Sequence, residues 1–179
     1  LKIYIFSHMN IILSTAILSF ALIFSDSTDK EAEMIIKMDR VYNAARSSSD
    51  LYELEKFAHE SLKIFPESDG IVWRLGRTYF KLGQNSNSEA KKVFYFLSCM
   101  EQTKKALNIN DTLANGYFFN GLCNGSLGEV QGMWSSLGKI KPFKNDMETA
   151  ISLDPTVNQG GPHRALANLY LKLPYILGG

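Results

Sequence analysis

The 179-residue chain lacks most of the features that announce chemistry. It has no charge imbalance: nineteen Lys and Arg stand against eighteen Asp and Glu, and no basic run exceeds two residues. A nucleic-acid backbone would therefore find no electrostatic footprint, and no nucleic-acid partner is expected. Cysteine is scarce. Cys99 and Cys123 are the only two, outside any CxxC spacing, so they supply neither a metal site nor a disulfide framework. The expectation for them is a pair of small buried thiols. The three histidines, His8, His59 and His163, are far apart in sequence; His59 reads as a surface or rim residue and His163 as packing or capping. HExxH, G-x-S-x-G and a glycine-rich phosphate loop are all missing; Asn124-Gly-Ser-Leu-Gly128 lacks the first glycine of the second pattern. Glu53 and Glu55, two apart, fall on different helix faces and read as solvated charge. No catalytic residue, metal or cofactor is expected. The strict two-residue alternation of a half-buried strand is also absent, which leaves an all-α chain.

What is present begins with an apolar segment. From Ile3 to Ser25 there is no Asp, Glu, Lys or Arg; Lys2 precedes the run and Ser25-Asp26-Ser27 closes it. Residues 1–25 read either as a secretory signal peptide or as a retained anchor long enough to cross a bilayer, which would place the protein outside an inner membrane. Residues 26–179 then form one helical domain. Its stripes recur at helical spacing: Met34, Met38, Val41, Tyr42 and Ala45; Leu51, Leu54, Ala58, Leu62 and Phe65; Val72, Leu75, Gly76 and Tyr79; Ala90, Val93, Phe94 and Leu97; Phe143, Met147, Ala150 and Ile151. Thr28 to Glu31 and Ser86 to Glu89 have the form of capping boxes. Gly121, Gly125, Gly128 and Gly132 are spaced either for close helix packing or for a flexible joint. Trp134 is either a core anchor or an interface contact.

The chain also repeats itself. "GIVWRLGRTYFKLG" from Gly70, "NGYFFNGLCNGSLG" from Asn115 and "GPHRALANLYLKLP" from Gly161 align at offsets of 45 and 46 residues. Leu75-Gly76, Asn120-Gly121 and Leu166-Ala167 coincide, and each pattern follows a helix that stops at Pro66, Asp111 or Pro155. This is the tetratricopeptide pattern, W-x2-L-G-x2-Y with a second helix and a terminal Pro, stretched to about 45 residues. It predicts helix hairpins stacked into an α-solenoid, the small residue letting paired helices approach and Pro ending the second. The last copy starts a hairpin at Pro162 whose second helix is missing, so the chain is read as truncated after Gly179 or covered there by another surface, a homo-oligomer included.

The segment "KIKPFKNDMETAISLDPTVNQGGPHRALANLYLKLP" resembles the TRAP-transporter T-component (TatT-like) family: a Lys-rich turn, a helix ending in Leu-Asp-Pro, then Gly-Gly-Pro-x-Arg and a Tyr-containing helix closing on Leu-Pro. The resemblance implies a tetratricopeptide-like protein of the cell envelope or periplasm. Its implied partner is the periplasmic solute-binding protein of a TRAP-type transporter. The eukaryotic regulators of microtubule dynamics share the extended repeat and the helix before Asp-Pro, but lack the Gly-Gly-Pro-x-Arg stretch; they rank second.

A solenoid binds along the face built from the first helix of each hairpin. The positions on those helices that avoid the packing signature are Trp73, Arg77 and Phe80, then Phe118 and Leu122, then Arg164, Asn168 and Leu171. Aromatics beside two arginines suit an amphipathic or apolar solute, or a carboxylate-bearing peptide, because Arg grips a carboxylate through two hydrogen bonds. The competing reading makes the apolar members ordinary core and the arginines ordinary surface. A non-enzymatic adaptor leads; a membrane-anchored interaction scaffold is the alternative.

Overall fold

The computed structural model describes residues 28–172, the side chains of residues 133–136 excepted. The readings placed on residues 1–25, on Trp134 and on the final Leu-Pro lie outside what is described. Contacts divide the chain into Leu1–Lys37 and a larger unit, Met38–Gly179. In the smaller unit the described residues, 28–37, are helical.

Among the described residues the chain is all-helical, with seven helices and no strand: α1 (28–44), α2 (Ser48–Ile64), α3 (Asp69–Asn85), α4 (Glu89–Ile109), α5 (Ala114–Gln131), α6 (Met133–Leu153) and α7 (Val157–Lys172). Serines open three of them. Ser47 and Asp50 form a reciprocal capping box at α2; Ser68 and Ser88 accept from the backbone N–H of Ile71 and Lys91 at α3 and α4. The cap of α4 is thus Ser88 and not Ser86, whose hydroxyl instead accepts from the Ser88 N–H at 3.3 Å. The Lys-rich stretch expected to turn at residue 139 is helical: α6 runs through Pro142.

From α2 onward each helix packs on the next, α2 on α3, α3 on α4, α4 on α5, α5 on α6 and α6 on α7, while α3 also touches α5 and α5 touches α7. The buried face of α2 is Leu51, Leu54, Ala58 and Ser61; that of α4 is Phe96, Cys99, Thr103 and Ala106, each 45 positions after its counterpart. Met147 and Ala150 of α6, fully buried, follow Thr103 and Ala106 by 44. The ends repeat as well. Asn110 Oδ1 accepts from the N–H and O–H of Thr112, and Asp154 Oδ1 from those of Thr156, so each turn leaving a long helix closes on the same side-chain device. Gly76 is where α3 meets α4: a Cβ there would stand 2.9 Å from Thr103 Cγ2 and 3.3 Å from the Cys99 carbonyl oxygen. Gly121 plays that part for α5 against Asp146 and Met147 of α6. Around these contacts Leu51, Ile71, Val72 and Leu75 are fully buried, each contributing roughly 1.5–3 kcal/mol of transfer free energy.

Two expectations are corrected in this core. The two cysteines are buried as expected, but as a disulfide joining α4 to α5 and not as thiols. The α4 stripe is also out of phase: Phe94 and Leu97 are 61% and 49% exposed, and the inward face begins at Phe96. Of the two readings for the glycine series, close packing is the one met: α5 runs unbroken through Asn124–Gly128, so no joint interrupts it there. Gly121 and Gly125 are close-packing sites inside α5, whereas Gly132, at φ +91°, ends the helix.

Candidate functional site

The most polar built feature of the larger unit lies where α3 meets α1. Arg74 and Arg77 are one helical turn apart on α3, and Asp39 and Tyr42 hold the same spacing on α1, so each pair shares a face. Arg74 donates from Nε (2.9 Å) and Nη2 (2.8 Å) to the two oxygens of Asp39, a bidentate pair, and Arg77 Nη2 donates to the same carboxylate at 2.7 Å. The Arg77 guanidinium lies 3.9 Å from the Tyr42 ring centroid and 5.0 Å from that of Trp73; Arg74 lies 4.3 Å from Trp73, and Lys81 Nζ 4.6 Å from Tyr42. Burial would raise the Asp39 pKa, but the hydrogen bonds and charges of Arg74 and Arg77 hold it below the ordinary carboxylate range. Burial pushes the Tyr42 phenol up, so it stays neutral and presents an aromatic face to the cations.

Behind this cluster runs an aromatic seam. Trp73 stacks on Phe119 (5.8 Å between centroids), Phe80 meets Phe119 edge-on (6.0 Å), and Phe118 does the same (5.1 Å). Trp73, Arg77, Phe80 and Phe118 are buried, Leu122 is half-buried, and Arg164, Asn168 and Leu171 are exposed, the last at 85%. The eight sequence-derived positions therefore do not converge on one cavity. Four form the wall between α3, α5 and their neighbours, and three lie open on α7.

Arg164 has a local task. Asn158, Gln159 and Gly160 take left-handed backbone angles in succession (φ 47°, 57° and 72°), which costs non-glycine residues on the order of 1–3 kcal/mol each. The Arg164 guanidinium donates to the carbonyl oxygens of Asn158 (2.9 Å) and Gln159, and Asn158 Nδ2 donates to Asn115 Oδ1 at 2.8 Å. Gly161 then sits where a Cβ would enter the Phe118 ring, at 2.6 Å from Cζ. The Gly-Gly-Pro-x-Arg stretch is thereby accounted for as a reversed turn that seats α7.

On the other side of α3, His59 Nε2 is 3.0 Å from the Tyr79 hydroxyl, and Tyr95 donates to Tyr52 at 3.4 Å. Burial, helped by nearby Glu55, raises Tyr79 above the usual phenol range, and burial with the Tyr52 contact pushes Tyr95 up to about 12. Neither hydroxyl is poised to give up its proton at neutral pH. An open cleft of about 470 Å³ at the ends of α3 and α5 is lined by Gln84, Glu89, Lys92, Ser126 and Glu129 among others, a mixture with no convergent set of donors. Among the described residues no three His, Cys, Asp or Glu side chains come together as a metal site, and no helix is long and apolar enough to cross a membrane.

Sequence reasoning missed Asp39, Tyr42, Arg74 and Lys81. Their i, i+3 and i+7 spacing on two helices was available, but the pairing of those helices, 35 positions apart at Asp39 and Arg74, was not.

Residues 34–159 match the family model described as regulator of microtubule dynamics protein 1-3. Among curated proteins the chain is 27% identical over 124 residues to regulator of microtubule dynamics protein 1 of Bos taurus, covering 69% of this chain and 37% of that protein. It is 28% identical over 90 residues to regulator of microtubule dynamics protein 3 of Rattus norvegicus, covering 50% and 19%. It is 25% identical over 131 residues to regulator of microtubule dynamics protein 1 of Mus musculus, covering 72% and 41%. The chain thus spans less than half the length of the curated relatives it matches. These matches overturn the likeness to the TRAP-transporter T-component, and with it the solute-binding protein as partner. The segment that carried that likeness overlaps the matched region up to residue 159, and the rest of its signature is the turn held by Arg164.

Proposed function

Because the chain belongs to the regulator of microtubule dynamics protein 1-3 family, we propose that it is a non-enzymatic interaction module that takes part in controlling microtubules, as the names of its relatives describe. In this reading the helices of the larger unit are tetratricopeptide-like hairpins stacked at a 45-residue period. The observation that carries it is the match between the buried faces of α2 and α4, residue for residue at that spacing. A repeat that buries the same positions in each copy leaves the same remaining positions for partners. The first helices, α3, α5 and α7, carry the binding face. Leu122, Arg164, Asn168 and Leu171 give it accessible groups; Trp73, Arg77, Phe80 and Phe118 give it rigidity from beneath. Protein partners fit this surface better than a small molecule, because its exposed groups are spread along helices and not gathered in a cavity.

The test is co-sedimentation of the purified chain with polymerised microtubules, together with growth and shortening rates measured by microscopy. The proposal expects a saturable pelleted fraction or a changed rate, weakened by substituting Leu171 and Asn168 with Glu. A chain that stays in the supernatant at every concentration and leaves both rates unchanged would rule out a direct role for this segment.

A further inference from the structure

The Cys99–Cys123 bond ties together two helices of unequal strength. α4 opens on the Ser88 cap, whereas α5 has no side-chain cap at Leu113 and holds Gly116, Gly121, Gly125 and Gly128 within its span. Each interior glycine disfavours the helix relative to alanine. Packing demands at least three of them: a Cβ at Gly116 would meet Leu107, one at Gly121 would meet Asp146 and Met147, and one at Gly125 would lie 3.0 Å from Phe143. Close approach to its neighbours has thus cost α5 its own propensity. Cys123 sits between Gly121 and Gly125, near the middle of the helix. Its partner Cys99 occupies the position 45 residues after the buried Leu54 of α2. At that level of the core, α4 holds its neighbour through a covalent bond where α2 offers a leucine.

We infer that the disulfide is the fastener of α5, and that its opening by a dithiol reductant loosens this helix selectively, making the α4–α5 joint redox-controlled. The exchange begins when one reductant thiolate attacks a cystine sulfur. The S–S bond breaks, a mixed disulfide forms, and the departing cysteine thiolate takes up a proton. The second reductant thiol, deprotonated, then closes the reductant to its own disulfide and releases the other cysteine, which is protonated in turn. Two electrons pass from the dithiol to the cystine. Both cysteines are fully buried, so the reductant reaches them only when the α4–α5 seam opens, and reduction of the folded chain is slow. This inference stands whether or not the chain meets microtubules.

The test uses the full chain, with thiol alkylation counted in denaturant and hydrogen exchange read by mass spectrometry before and after dithiothreitol. Alkylation is expected to find no free cysteine before reduction and both after it. On reduction the amides of Ala114–Gln131 should exchange faster by about tenfold or more, while those of α2 and α3 hold their rates. The C99S/C123S variant should reproduce the reduced pattern. The reduced native sequence carries the test alone if that variant does not fold. Two alkylatable cysteines in untreated protein, an unchanged α5 after complete reduction, or an acceleration spread evenly over all helices would each overturn the inference.

Discussion

Replacing Asp39 by Asn should separate a working ion cluster from surface decoration. The carboxylate receives three charged hydrogen bonds, two from Arg74 and one from Arg77. The arginine side chains are 14% and 10% exposed, and Asp39 itself 35%. Arg77 Nε is buried with no hydrogen-bond partner, so that side chain has little reserve. Removing one member of a fully buried pair costs about 3–5 kcal/mol; with Asp39 a third exposed, solvent screening reduces this to about 2 kcal/mol. For a body of this size that corresponds to a fall in melting temperature of roughly 6–8 °C. The assay is thermal and urea unfolding followed by circular dichroism, with Lys63→Ala as control. That residue's pair with Glu60 is 70% and 58% exposed, so its loss should leave the melting temperature unchanged within error. The sign with pH is fixed by the depressed Asp39 pKa. The contribution is fully present above the unfolded carboxylate value near 3.8 and disappears as pH falls through the lower folded value. The difference between native and D39N chains should therefore persist from neutral pH to about 4 and close below it. A D39N chain as stable as the native one at pH 7, or a difference that grows in acid, would refute the reasoning.

Two glycine substitutions should move in opposite directions. Gly138 lies in α6 with nothing within 4 Å of a new Cβ, so G138A should stabilise by up to about 1 kcal/mol; Gly76 faces the Cys99 carbonyl and Thr103, so in G76A overpacking of about 1–3 kcal/mol should outweigh that gain. Urea midpoints of both variants decide this. Burial raises the Asp146 pKa, against the opposing hydrogen bond from Asn120. The native chain should thus lose stability as pH climbs from the unfolded carboxylate value through the folded one, and D146N, which keeps the acceptor oxygen, should be the more stable at pH 7 by less than about 1 kcal/mol; a lower midpoint for D146N would contradict this. Arg164→Ala should cost about 1–2 kcal/mol by releasing the carbonyls of the left-handed turn, with exchange protection lost first in α7.

The helical class and the 45-residue period were legible because a buried helical face must recur at fixed positions, and Leu75-Gly76 and Asn120-Gly121 show that face in plain letters. The phase of α4 was not. In "VFYFL" every side of the helix is apolar, so periodicity alone cannot choose between Phe94 and Phe96; the spacing from Leu51 and Leu54 was the cue that would have chosen. Ser86 and Ser88 look equivalent in "NSNS" until the backbone shows which one precedes the first turn. Arg77 reads as a ligand grip in isolation, because Asp39, its partner, lies on another helix 38 positions away. The cystine was missed for a similar reason: 24 residues apart, the two cysteines fall on successive helices whose relative rotation the pattern leaves open. The left-handed angle at Gln159 carries almost no signal, since Gln seldom adopts it. Family likeness misled where a turn held by one arginine was taken for a family signature.

An experimental structure of the full chain, with α3–α4 superposed on α5–α6, tests the central claim most directly. The claim predicts that Gly76 lies against Thr103 as Gly121 lies against Met147, and that Thr103 and Ala106 of α4 overlay Met147 and Ala150 of α6. Hairpins that superpose only after a shift of register, or with Gly76 and Gly121 turned to different neighbours, would contradict it.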